Sequence, residues 1–139
     1  MNVSFSRSPV AVPSPISGLR VFLSGPVSGL PYEEAVRGFG EAAARCRAAG
    51  ATVAFSPVEE LPEDASYAAS MLVCLSALTA LSMAGIEPYE HVVADVGALV
   101  SLPGWEASRG ARMEREVAVI CGIPAYDLDE VAPALPVGE

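Results

Sequence analysis

The sequence predicts an α/β sandwich with a mostly parallel sheet. Short apolar runs at residues 19–23, 52–55, 96–102 and 123–127 read as strands. Helix-periodic stretches lie between them, over residues 32–49, 65–85 and 108–121. The run 96–102 is uncharged along its whole length, as expected of a parallel strand covered on both faces. At 139 residues with 52% hydrophobic content, the chain has the size and apolar material for one domain with its own core.

Residues 1–18 hold Pro9, Pro13 and Pro15 among many serines. They are expected to form a flexible N-terminal segment that packs on the domain only in part. Arg7 and the prolines break any apolar run there, so no secretory leader is expected. The first strand, 19–23, runs into the small-residue loop Ser24-Gly-Pro-Val-Ser-Gly29. Pro31 suits the first position of the helix that follows. Ala35, Phe39, Ala42, Ala43 and Cys46 make its buried stripe, and Gly50 stops it. Glu33–Arg37, Arg37–Glu41 and Glu41–Arg45 are spaced to pair on the outer face. Residues 57–64 are expected to be a loop.

The stretch 65–86 contains no charged residue. Its length meets the test for a membrane span, but Ser66, Ser70, Ser76, Thr79 and Ser82 dilute it and no basic residue flanks it. The expected reading is a helix over 65–85, apolar on all sides and not a membrane span. One sheet cannot cover every side of such a helix, so a homo-oligomer, a dimer or tetramer, is expected through it. Pro88 ends any helix, and 91–95 is expected to be a turn or short helix. Strand 96–102, helix 108–121 stopped by Gly122, and strand 123–127 complete the domain, 19–127. The tail 128–139, with Pro133 and Pro136, is expected to be loose.

Charge and composition narrow the chemistry. Eight arginines, no lysine and seventeen acidic residues give a net charge of −9, which excludes an ordinary nucleic-acid-binding face. Without lysine there is neither a Schiff base nor a Walker-type phosphate loop. A single histidine, His91, excludes a histidine-rich metal site, and neither a metal nor a cofactor is expected. Cys46, Cys74 and Cys121 are widely spaced and odd in number, and read as reduced core thiols of a cytoplasmic protein.

The candidate site is the segment Leu102-Pro-Gly-Trp-Glu-Ala-Ser-Arg-Gly-Ala-Arg-Met-Glu114. Pro103 and Gly104 end the third strand, and Ser108 is placed to cap the next helix. Gly110, Glu114 and Ala118 recur every four residues on one helical face. A carboxylate thus stands on a helix whose first N–H groups are free, at the strand-to-helix edge where open α/β sheets bind ligands. The helix start is expected to favour the ionised carboxylate.

This segment and the first-strand motif Val21-Phe-Leu-Ser-Gly-Pro-Val-Ser-Gly29 resemble the two signatures of the DUF4406 family. That family is grouped with the nucleoside 2-deoxyribosyltransferases and the 2′-deoxynucleoside 5′-phosphate N-hydrolases. Ser108, Gly110 and Glu114 match the wider group's Ser-x-Gly-x-x-x-Glu pattern. The resemblance implies a Rossmann-like (flavodoxin-like) three-layer sandwich that cleaves or exchanges the N-glycosidic bond of a nucleoside or nucleotide. It makes Glu114 the nucleophile at the anomeric carbon. It makes Ser24, Gly25, Pro26, Ser28, Gly29 and Ser108 contacts to sugar or 5′-phosphate. It also implies that a neighbouring subunit completes the site.

Chemistry adds that Gly110 lets substrate approach the backbone closely and that Trp105 either stacks on a base or closes the pocket. Cys74 falls where the family carries an acidic residue near a Tyr-Leu-x-x-Asp-Leu pattern, matched here from Tyr67. Proton transfer to the leaving base then lacks its usual partner, with Glu87, Glu90 and Asp95 as candidate substitutes. Loss of chemistry with retention of nucleotide binding is the alternative. The loop is also similar in plan to that of the cytokinin-type phosphoribohydrolases, which would make the substrate a ribonucleotide.

Overall fold

Strand β1 (Arg20–Ser24) begins a parallel sheet in which it lies second. The computed structural model describes residues 13–27, 29–81 and 97–135. The chain passes from β1 through α1 (Tyr32–Ala48) to β2 (Thr52–Phe55), then through α2 (Pro57–Glu60) and α3 (Tyr67–Leu81). It continues with β3 (Ala98–Ser101), a single 3-10 turn (Trp105–Ala107), α4 (Arg109–Ile120), β4 (Ala125–Asp127) and α5 (Leu128–Val131). The four strands are parallel in the order β2-β1-β3-β4. The fold is therefore the expected Rossmann-like α/β sandwich, with helices on both sheet faces.

Side-chain alternation along the strands divides the core in two. Val21 and Leu23 of β1 and Ala98 and Val100 of β3 join Phe39, Ala42 and Cys46 of α1 and Leu128 and Val131 of α5. On the opposite face Phe22, Phe55 and Leu99 pack with Cys74 and Leu78 of α3 and Ala118 of α4. The Phe22 and Phe55 rings stack with centroids 4.7 Å apart. All four residues of β3 are buried, which explains its unbroken run without charge.

Strand order also fixes where a ligand crevice opens. The chain leaves β1 for β2 on one side and returns to β3 on the other. The connections from β1 and β3 therefore diverge at their carboxyl ends, as at the crevice of other open α/β sheets. The ladder pairs Ser24 with Ser101 at this point.

Several expectations change. Residues 57–60 form a short helix rather than loop, with Pro57 in its first turn and Ser56 before it. Residues 128–132 are not loose: α5 follows at once, and Leu128, Val131 and Ala132 are buried. Arg45 does not face outward toward Glu41. It is buried, and its guanidinium donates to the carbonyls of Ala132 and Pro133 and pairs with Asp129 at 2.7 Å. A buried cation is tolerable where carbonyl oxygens surround it, and here they belong to the segment it ties down. Within the N-terminal segment, Ile16 is fully buried and the Ser14 hydroxyl donates to the Val131 carbonyl at 2.6 Å. Cys46, Cys74 and Cys121 are free thiols, but only the first two are buried, and Cys121 is exposed.

Helix α3 lacks charge, as expected, and buries Cys74 and Leu78 while leaving Leu72 and Val73 exposed. Among the described residues no helix is long and apolar enough to cross a membrane. The expected extension of this helix to residue 85, the turn at 91–95, residues 1–12 and Ser28 lie outside the described residues.

Arg45→Ala would strand two carbonyls and release α5. Urea unfolding should show a loss of about 2 kcal/mol, with faster proteolysis after residue 127. An unchanged midpoint would show that the C-terminal segment is held by its apolar contacts alone.

Candidate functional site

The site is built from the end of β1, the start of α4 and one face of α3. Ser24, the last residue of β1, is fully buried, and its hydroxyl donates to Glu114 Oε1 at 2.6 Å. Its carbonyl accepts from the Leu102 amide at 2.7 Å, which joins the two strand ends. At Gly25 a Cβ would stand 2.8 Å from the Leu102 Cβ, so only glycine lets these loops lie together. Gly104 turns the chain after β3 with φ 88°, a left-handed conformation suited to glycine.

Ser108 caps α4 as its sequence position predicts. Its hydroxyl accepts from the Ala111 amide at 3.2 Å, and its carbonyl from the Arg112 amide at 2.9 Å. The four-residue spacing then carries Gly110, Glu114 and Ala118 along the inner face of α4. Glu114 is 6% exposed and Ala118 is fully buried. From α3, Tyr67, Ser70, Met71 and Cys74 occupy one face at helical spacing. Together these residues enclose a cavity of about 280 Å³, which Pro57 and Leu61 also line.

Burial raises the Glu114 carboxyl above its ordinary 4.5, and hydrogen bonds from Ser24 and Cys74 offset part of that rise. The expected help from the helix start is not what dominates. Glu114 lies beyond the first turn of α4, where the dipole effect has faded. Cys74 is pushed up to about 12, first by burial and then by the charge of Glu114. At neutral pH it is a thiol donor to the carboxylate rather than a nucleophile. Burial likewise raises Cys46 to about 11, at a distance from this cavity.

Ser24, Gly25, Ser108, Gly110 and Glu114 therefore converge. Pro26 faces a different cavity of about 260 Å³, beside Leu30, Glu34 and Arg45. Gly29 is an exposed turn residue with φ 86°, where a Cβ would meet only open space. Trp105 also lies elsewhere. Its Nε1 donates to Asp127 at 3.0 Å, the Arg115 guanidinium covers its ring at 4.4 Å, and it borders a third cavity near the ends of β3 and β4. Sequence reasoning overlooked Ser70 and Met71 as cavity residues and gave Tyr67 no role there. The Tyr67, Ser70, Met71, Cys74 spacing was the available signal, masked by a helix with no charge to orient it. Among the described residues, no three metal-ligating side chains cluster.

The model of DUF4406, a domain of unknown function, matches residues 19–127. The chain belongs to the DUF4406 family. Every residue named on the wall of the Glu114 cavity falls within the matched span of this DUF4406 domain. No curated protein and no solved structure matches the chain.

A carboxyl raised by burial lowers stability once it ionises. That cost is absent below the unfolded pKa and complete above the folded one. Glu114→Gln should therefore match wild type in melting temperature below about pH 4. It should melt higher at pH 7 and above. A variant less stable than wild type at pH 7 would contradict this placement of the carboxyl.

Proposed function

We propose that this protein cleaves or exchanges the N-glycosidic bond of a nucleoside or nucleoside 5′-monophosphate, deoxy or ribo, with Glu114 as nucleophile. The observation that carries the reading is a buried carboxyl, oriented by the Ser24 hydroxyl, at the strand-to-helix crevice of a DUF4406 chain. Breaking a glycosidic bond develops positive charge at the anomeric carbon, which a fixed carboxylate stabilises. Glu114 Oε forms a bond to C1′ as the C1′–N bond breaks, and the base leaves with that electron pair. Water, or an acceptor base in transfer, then displaces the ester. Ser108 and the first N–H groups of α4 supply the positive field for a 5′-phosphate.

One observation favours a second reading, a nucleotide-binding module with impaired chemistry. Among the described residues lining the cavity, Glu114 is the sole carboxylate, and Cys74 beside it is a neutral thiol. Glycosidases commonly use a second carboxyl to protonate the leaving group. In the catalytic reading the departing base takes its proton from solvent.

The uncharged outer face of α3, with Leu72 and Val73 exposed, supports assembly into a dimer or tetramer through this helix. The free thiols fit work in the reducing cytoplasm.

Chromatography of free base released from nucleosides and 5′-monophosphates tests the reading. Wild type should release base, and Glu114→Gln should lose about 10³-fold or more. Release that persists in the variant would overturn the nucleophile assignment. Nucleotide-induced rise in melting temperature without any release would favour the binding module.

The nucleophile must be ionised, so kcat/KM should fall as pH drops through the raised pKa of Glu114. Ser24 favours the ionised form, so Ser24→Ala should move that fall to higher pH. An unmoved profile would remove Ser24 from the activation of Glu114.

A further inference from the structure

We infer that Tyr67 is the base-stacking residue of the Glu114 cavity, with the Arg109 guanidinium closing over the base. This deepens the glycosidase reading and rests on it for the identity of the ligand. Among the described residues lining the cavity, Tyr67 is the sole aromatic. It is 42% exposed, so much of its ring is free of the core. The guanidinium carbon of Arg109 already stands over that ring, 5.5 Å from its centroid. This ring face thus accepts a flat group. Trp105, the aromatic of the Leu102–Glu114 segment, is engaged with Asp127 and Arg115 at a different cavity.

The spacing suits the reaction. Gly110 lies about one helical turn before Glu114, about 6 Å along α4. A Cβ at Gly110 would stand 3.0 Å from the Met71 sulfur and 3.6 Å from the Tyr67 ring. Glycine therefore lets the ring sit one turn from the carboxylate, with the sugar between them. A base sandwiched between two flat groups needs about 7 Å, twice the carbon–carbon contact of ~3.5 Å. The guanidinium has to move outward by about 1.5 Å, which an exposed arginine does without disturbing the fold. Met71 and Leu61 supply the apolar surroundings that a neutral base prefers over water.

The test uses the full chain in the Glu114→Gln background, so that nucleotides persist. Calorimetry would compare 2′-deoxyadenosine 5′-monophosphate, thymidine 5′-monophosphate, free adenine and 2-deoxyribose 5-phosphate. Tyr67→Ala should weaken the base-bearing probes about 10- to 100-fold and leave 2-deoxyribose 5-phosphate within twofold. Tyr67→Phe should retain binding. Ring-current upfield shifts of the adenine protons should be present with Tyr67 and with Phe, and absent with Ala. Equal loss for all probes, or no loss for any, overturns the inference.

The two readings fail separately. Base release by wild type that Tyr67→Ala leaves at full kcat/KM keeps the glycosidase and removes the stacking role. Adenine binding that depends on Tyr67, with no base release from any substrate, keeps the stacking role and removes the glycosidase.

Discussion

The hydrogen bond from Ser24 to Glu114 is the contact on which the site depends. It spans ninety positions of sequence and joins the end of β1 to the inner face of α4 inside the core. Its formation requires three earlier conditions. The strand order must open a crevice between β1 and β3, Gly25 must let the two loops meet at Leu102, and Ser108 must start α4 at the right residue. A one-residue shift of that start would turn Glu114 about 100° away from the sheet. The cap thus positions the carboxyl although it lies six residues before it.

Burying a carboxyl is unfavourable, and the surroundings offset that cost only in part. Two donors, the Ser24 hydroxyl and the Cys74 thiol, face Glu114. A buried Arg45 on the other sheet face shows the contrasting solution, in which carbonyls and Asp129 satisfy the charge. Arg45 is a structural charge tied to the C-terminal segment. Glu114 is left short of compensation at the edge of a cavity, the arrangement found where a group must change its charge or bond to a ligand.

Much of this was legible in the sequence. The α1 stripe from Ala35 to Cys46 alternates sharply with charged residues, so its helical period is clear, and all five of its named residues are buried. Ser108, Gly110 and Glu114 combine a cap with a four-residue repeat, so their shared location follows from local rules. Other features depend on tertiary partners that no local pattern encodes. Trp105 is drawn to Asp127 and Arg115, residues of β4 and the far side of α4. Arg45 turns inward because Ala132 and Pro133 present carbonyls to it. The cavity face of α3 was hidden because an apolar helix has no polar side to define its orientation.

A crystal structure of the Glu114→Gln protein with a nucleoside 5′-monophosphate would test the central claim most directly. The anomeric carbon should lie about 3–3.5 Å from the side-chain oxygen of residue 114, the near-attack distance, with the sugar between residue 114 and the Tyr67 ring. A nucleotide bound instead in the cavity beside Leu30, Glu34 and Arg45, or with its sugar remote from residue 114, would contradict it.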